Sequence, residues 1–254
     1  MADPPPHTQD PTGRFTPRAD AYTRCRPSYP PAALDALWRL LPGPDPIIAD
    51  LGAGTGIFSN LLADRGARVL AIEPNAAMRA AAPTSPHVMW VDAAAERTTL
   101  SPASVDAVTA AQAFHWFRPA DAAREALRIL RPAGVLALIW NVRDDRDPPT
   151  AAYSEVMADA SGCASLDRGE FDRATVESAG FGPLTLQEFP AEQLLDRDGL
   201  IGRALSASYF PDRGPYHDAL VARLHEAFDA HARDGVIRLR YTTRLWTGVR
   251  PPIP

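Results

Sequence analysis

From Ile47 onward the chain alternates short apolar runs with stretches whose apolar residues recur at helical spacing. Residues 47–51, 68–72, 88–91, 105–111 and 135–140 read as strands, and 57–65, 75–82 and 119–130 as helices. Alternation of this kind requires crossover connections, which lay the strands parallel in one sheet with helices packed against it. Upstream, Pro30-Pro31 starts a helix over 32–41 that Pro42-Gly43-Pro44 must end. Leu130-Arg131-Pro132-Ala133-Gly134 stops the 119–130 helix and turns the chain into the fifth strand. Beyond Trp140 the pattern is less regular, with helices expected over 150–160 and 171–180, the latter ended by Gly180, and a strand over 184–189. Two more helical patterns, 198–208 and 216–232, fall within a segment of about 190–235 that reads as an inserted cap. Residues 236–249 alternate like a hairpin or a long strand.

The turn Asp50-Leu51-Gly52-Ala53-Gly54-Thr55-Gly56 closes the first strand and opens the helix that follows. Glycines at alternate positions permit positive φ and let a ligand approach the backbone where a Cβ would collide. The start of the next helix presents unpaired N–H groups. Spacing separates the candidate ligands. A dinucleotide fingerprint needs G-x-G-x-x-G, whereas here the third glycine is Gly56 and the next residue is Ile57. A diphosphate is disfavoured, and the segment reads as a nucleoside-binding turn.

With its acidic-x-G-x-G-x-G pattern, the turn resembles motif I of the class I S-adenosylmethionine-dependent methyltransferases, in particular the small-molecule, type 11-like subgroup. The resemblance implies S-adenosyl-L-methionine as cofactor, its methionine half cradled by Asp50, Gly52, Ala53, Gly54 and Gly56. It also implies a ribose ligand at the end of the second strand, where Glu73 follows Val69-Leu70-Ala71-Ile72. The run Glu73-Pro74-Asn75-Ala76-Ala77-Met78 resembles the family's E-P-x-x-x-M segment, which brings in Pro74. After the third strand, Asp92 and Ala93 fall where the family holds the adenine, although an Asx turn cap is the other reading of Asp92. The implied fold is a Rossmann-like α/β domain. Its seven-stranded, mostly parallel sheet has the order 3-2-1-4-5-7-6, an antiparallel last strand and helices on both faces.

Ligands of open α/β sheets sit at the carboxyl ends of the strands. Strand four ends in Ala110-Ala111-Gln112-Ala113-Phe114-His115-Trp116-Phe117, similar to the A-x-H-W-F stretch of small-molecule methyltransferases. Ala111 and Gln112 are expected beside the sulfonium. His115 is the candidate general base, with a packed, hydrogen-bonded histidine as the alternative. Trp116 and Phe117 are expected as pocket wall or core. The segment from Phe15 through Tyr22, Arg26 and Tyr29 to Pro30 resembles the subgroup's leader, which folds over the cofactor as a lid. Arg26 is then expected at the methionine carboxylate, Tyr29 at the cofactor, and Tyr22 toward the acceptor as a second catalytic candidate. For Tyr22 and Arg26, packing of the segment onto the sheet is the alternative. Residues 1–14 form an expected disordered tail, 15–46 the lid segment, and 47–254 the methyltransferase domain with its cap. Acceptor selectivity is expected in that cap, around Tyr209, Phe210 and Tyr216.

Composition narrows the chemistry further. All 26 basic residues are arginine, which excludes a Schiff-base, pyridoxal-phosphate or Walker lysine. A net charge of −5 argues against nucleic acid as partner. Asp147-Pro148-Pro149-Thr150 echoes the D-P-P-Y motif of base methyltransferases, but it follows strand five and lacks the stacking aromatic. Arg143-Asp144-Asp145-Arg146-Asp147 alternates in sign and reads as a self-paired rim, so no metal is expected. Cys25 and Cys163 are too few for a disulfide framework and are read as thiols of a cytoplasmic protein. No signal peptide and no membrane span are expected, and the chain is read as a monomer or homodimer. The expected function is methyl transfer to an O, N or activated C of a small organic molecule, with secondary metabolism the expected setting. Coupled methylation–cyclisation and a cofactor-binding module without turnover are the alternatives.

Overall fold

The computed structural model describes residues 25–161 and 171–251. Tyr22, Cys163 and the expected tail lie outside them. The first described helix is α1 (Pro31–Trp38), followed by β1 (Ile47–Leu51), α2 (Ile57–Ala63), β2 (Arg68–Ile72), α3 (Ala76–Ala80), β3 (Val88–Val91) and β4 (Val105–Ala111). A short 3₁₀ turn (Phe114–Trp116) leads to α4 (Pro119–Ile129), β5 (Leu130–Arg143), α5 (Pro148–Ser161) and α6 (Arg173–Val176). The chain ends through β6 (Thr185–Leu195), α7 (Arg197–Leu205), α8 (Pro215–His231) and β7 (Ile237–Val249). The seven strands form one sheet in the order β3-β2-β1-β4-β5-β7-β6. β1 to β5 pair parallel, while β7 pairs antiparallel with both β5 and β6. The chain reverses direction across the sheet between β1 and β4, and the crevice at their carboxyl ends is where such a sheet receives ligands.

Period-two alternation along the strands builds two cores at once. Leu136, Leu138 and Trp140 of β5 join Val108, Ala110 and the buried face of α4 on one side of the sheet. Val135, Ala137 and Ile139 join Ile48, Phe58, Leu62 and the apolar face of α1 on the other. A third core unites Tyr153, Leu200, Phe210, Leu224 and Phe228 with Leu239 and Tyr241 of β7, so the α7–α8 segment packs on the sheet's far end. Among the described residues no helix is long and apolar enough to cross a membrane.

Two strands differ from their expected extents. β5 begins at Leu130 rather than 135, because Leu130 pairs with Val105 before a register shift resumes pairing at Ala107–Val135. The expected turn survives as a kink inside the strand, where Ala133 adopts φ +62°. A side chain on the next residue, Gly134, would stand 2.8 Å from the Arg131 carbonyl oxygen. β6 runs to Leu195 rather than stopping at 189, so the first residues of the expected cap segment belong to the strand, while the cap helices, expected over 198–208 and 216–232, run Arg197–Leu205 and Pro215–His231. Pro190 lies within β6, an edge strand that tolerates a residue without an N–H. Phe189, Ala191, Gln193 and Leu195 carry the inward alternation straight through it. Of the two forms expected for 236–249, the chain takes the long strand, Ile237–Val249.

Candidate functional site

The turn after β1 is held in shape by its neighbours as much as by its glycines. Gly52 has φ +63°, and a Cβ there would lie 2.9 Å from both Ala113 Cβ and Phe117 Cζ, so the strand-four loop packs directly on its backbone. Gly54, at φ +59°, donates its N–H to Glu73 Oε2 at 2.9 Å. The other oxygen of Glu73 accepts from the N–H of Asn75 at 2.8 Å, and the Asn75 side chain caps α3 by accepting from Ala77 and Met78. One carboxylate therefore joins the turn after β1 to the turn after β2. Burial raises the Glu73 pKa; the Asn75 and Gly54 bonds and the nearby Arg79 oppose that rise without cancelling it.

Asp50 is 1% exposed. Its two oxygens accept from Ser59 Oγ at 2.6 Å and Thr109 Oγ1 at 2.7 Å. Burial outweighs those two bonds, and with the negative charge of Glu73 it lifts the Asp50 pKa from 3.8 to about 6. At the end of β4, Gln112 holds φ +51°, a backbone conformation costly for a residue with a Cβ and characteristic of functional sites. Its N–H donates to the Ile139 carbonyl at 2.9 Å, and its Oε1 accepts from the N–H of Asn141 at 3.0 Å. These bonds fix the loop that carries Ala111 and Ala113.

Around these groups lies a cavity of about 280 Å³. Of the expected residues, Arg26, Tyr29, Asp50, Gly52, Ala53, Gly54, Glu73, Pro74, Ala111 and Gln112 line it. Tyr29 is buried edge-on against Phe58, with ring centroids 4.9 Å apart. Tyr22 lies outside the described residues. Gly56 stands off the cavity as the residue before α2, where a Cβ would meet the Trp90 ring at 3.1 Å.

Four expected features stand elsewhere. The Asp92 carboxylate turns away, 70% exposed, to pair with Arg79 Nη2 at 2.8 Å, while Arg79 Nη1 donates to the Glu73 carbonyl. Ala93 is buried behind the wall. The wall after β3 is made by Ala94, Ala95 and Glu96 instead, with Glu96 Oε1 accepting from the Arg118 N–H at 2.8 Å. His115 is not on the wall, and its Nδ1 accepts from Trp140 Nε1–H at 3.4 Å. In the cap, Phe210 is 1% exposed in the local core and the Tyr216 hydroxyl donates to the Asp159 carbonyl, so neither faces the cavity.

Sequence reasoning missed Pro27, Phe58, Asn75, Met78, Glu96 and Arg118 on the walls. The strand-end rule that selected Gln112 covers Glu96 as well, four residues beyond Asp92. Glu125 pins that loop from behind, accepting from Thr98 N–H and Oγ1 at 2.7 and 2.6 Å. Burial raises the Glu125 pKa, but the Arg128 and Thr98 bonds together overcome it and hold the carboxyl at about 2. In the charged rim, Arg146 pairs with Asp144 at 2.7 Å, and no group of three or more candidate metal ligands occurs among the described residues.

A doubly wound sheet with a glycine turn after β1, a buried carboxylate after β2 and a cavity between them defines a nucleoside-cofactor-binding α/β protein. A family model described as a methyltransferase domain matches residues 49–138. An uncharacterised methyltransferase of Mycobacterium tuberculosis is 48% identical over 130 residues, covering 50% of this chain and 51% of that protein. The chain thus spans about half the length of the mycobacterial relatives it matches. A methyltransferase-like protein of Schizosaccharomyces pombe is 33% identical over 181 residues, covering 68% of this chain and 69% of that one. The structure of a putative type II methyltransferase from Anaeromyxobacter dehalogenans superimposes with a TM-score of 0.61 at 25% identity, covering 90% of this chain and 99% of the other. The chain belongs to the class I S-adenosylmethionine-dependent methyltransferase family.

Proposed function

We propose that the protein transfers a methyl group from S-adenosylmethionine to an oxygen, nitrogen or activated carbon of a small organic acceptor. The observation that carries this reading is the Glu73 carboxylate, buried on the cavity wall and bonded to the N–H groups of both Gly54 and Asn75. A buried acid at the end of β2 that holds the glycine turn in place fits a ribose-bearing ligand. When bound, S-adenosylmethionine supplies an electrophilic methyl group on a sulfonium. Gly52, Ala53 and Gly54 would hold its amino-acid half with Arg26 nearby, Glu73 its ribose, and the Ala94–Glu96 wall its base. Isothermal calorimetry is expected to show tight binding of S-adenosylhomocysteine and none of NAD. The reverse order would overturn the reading. Glu73→Ala is expected to weaken S-adenosylhomocysteine by about 1.5–3 kcal/mol, the range for hydrogen bonds to a charged group. Unchanged affinity would remove Glu73 from the ribose role.

In this reading His115 positions and does not take a proton. Because Trp140 donates to Nδ1, the neutral imidazole carries its hydrogen on Nε2, and the lone pair on Nδ1 is engaged. Alignment of acceptor and donor then supplies most of the rate enhancement. His115→Ala is expected to lower kcat by less than about tenfold and to leave the pH profile of transfer unchanged, whereas a positioned base contributes about 10²–10⁴-fold. A hundredfold loss together with disappearance of a near-neutral titration would restore the base role.

A further inference from the structure

The row of side chains that β5 turns toward α1 changes character at its carboxyl end. Val135, Ala137 and Ile139 are buried in the core on that side, and the next residue of the same row is Asn141. Asn141 is 4% exposed and stands behind the cavity wall, not on it. A carboxamide buried where an apolar side chain would continue the core costs stability unless its polar atoms are bonded. Here Oδ1 accepts from Thr243 Oγ1, directly across on β7, at 2.6 Å, and Nδ2 donates to the Ser28 carbonyl at 3.0 Å. Because that carbonyl can only accept, it fixes which end of the carboxamide faces it. The backbone N–H of Asn141 donates to Gln112 Oε1 at 3.0 Å.

These bonds join two walls of the cavity that are distant in sequence. Ser28 belongs to the strap 25–30, which leads into α1 and places Arg26, Pro27 and Tyr29 on one wall. Gln112 belongs to the loop after β4, on another. Pro27 and Pro30 have no N–H, so the strap is poorly suited to strand pairing and is held by side-chain bonds. Two of them lie at its start, from Gln193 Nε2 of β6 to the Cys25 carbonyl at 2.9 Å and from Arg26 Nη2 to the Ser206 carbonyl at 3.1 Å. Asn141 supplies the tie further along, beside Tyr29, whose ring packs on Phe58.

We propose that Asn141 is a positioning residue for the transfer: its carboxamide holds the strap against the cofactor cavity, in a fixed relation to the Gln112 loop, without itself touching the ligand. This rests on the cofactor reading above. A strap untied at Ser28 opens more readily, so a bound ligand leaves faster. The test is the rate at which radiolabelled S-adenosylhomocysteine leaves the full chain when chased with excess unlabelled ligand. Because release is read only from molecules that hold ligand, a loss of fold by itself lowers the amount bound and leaves the rate unchanged. Asn141→Leu, which fills the space without a polar atom, is expected to raise the rate by about tenfold, the scale of one buried hydrogen bond. Asn141→Asp tests the donor alone. As a carboxylate it still accepts from Thr243 but offers no hydrogen to Ser28, whereas its protonated form, favoured by burial, can donate there. Its release rate, as a multiple of wild type at the same pH, is expected to fall from about tenfold at pH 8 to about twofold or less at pH 5.5. Wild-type release from Asn141→Leu, or a multiple for Asn141→Asp that does not fall toward acid pH, would overturn the proposal. If Asn141→Leu fails to fold, the pH dependence of Asn141→Asp still decides. Failure of S-adenosylhomocysteine to bind the wild-type chain would instead overturn the cofactor reading.

Discussion

Gly54→Val is expected to weaken S-adenosylhomocysteine by at least about 100-fold, the largest effect of any single substitution in the cradle. Two costs combine. The residue sits at φ +59° on the cavity wall, and a side chain with a Cβ pays about 1–2 kcal/mol in that conformation, more when β-branched. Relaxing that strain would swing the Gly54 N–H away from Glu73, to which it now donates, and the valine methyl groups would point into the ligand's space. Together these exceed the roughly 2.7 kcal/mol that a hundredfold change requires. Gly43→Val separates the two costs, because Gly43 shares the backbone conformation at φ +76° with nothing within 4 Å of its added Cβ and lies away from the cavity. It is expected to lose stability while keeping ligand affinity. Calorimetry on both variants is the measurement. A Gly54→Val protein within tenfold of wild type would show that the turn does not hold the ligand.

The turn was legible because its chemistry is local: three glycines in five positions need no distant partner to reveal their purpose. The parallel half of the sheet was legible for a related reason, since its central strands β1 and β4 are buried on both faces and read as short apolar runs. The reach of β6 through Pro190 was not legible, because a proline fits a strand only at an edge, and topology decides that. The direction of the Asp92 side chain was not legible for a similar reason. Its position at the end of β3 is right, but Arg79, thirteen residues earlier and on another element, draws the carboxylate out of the cavity. No local motif records that competition. His115 stayed open between a base and a packed histidine for the same reason, since its partner Trp140 lies twenty-five residues away on β5.

Asp50 is expected to make the ligand-free protein lose stability as the pH rises from about 4 to 6. The sign follows from its raised pKa, which moves from 3.8 in the unfolded chain to about 6 in the fold. The folded state holds the proton more tightly, so its contribution is fully present below 3.8 and is lost as the pH passes 6. That rise corresponds to about 3 kcal/mol. Glu125 acts oppositely and at lower pH: its pKa falls from 4.5 to about 2, so its contribution is lost as the pH drops through that window. Asp50→Asn isolates the first effect, because its amide can still bond the Ser59 and Thr109 hydroxyls without ionising. Denaturant unfolding of wild type and variant between pH 4 and 7.5 is expected to converge at the acid end and to favour the variant by up to about 3 kcal/mol at the other. Parallel curves would mean that Asp50 does not titrate in this range. The same linkage predicts a difference between two ligands that differ by one methyl group and one charge. A sulfonium in the cavity favours the carboxylate form of Asp50, on the wall, whereas the neutral thioether of S-adenosylhomocysteine does not. Near pH 5.5, S-adenosylmethionine should therefore release up to about one proton on binding, and S-adenosylhomocysteine markedly less. Calorimetry in buffers of different ionisation enthalpy measures the release directly. Equal proton release by the two ligands would show that Asp50 shapes the turn without sensing the cofactor's charge.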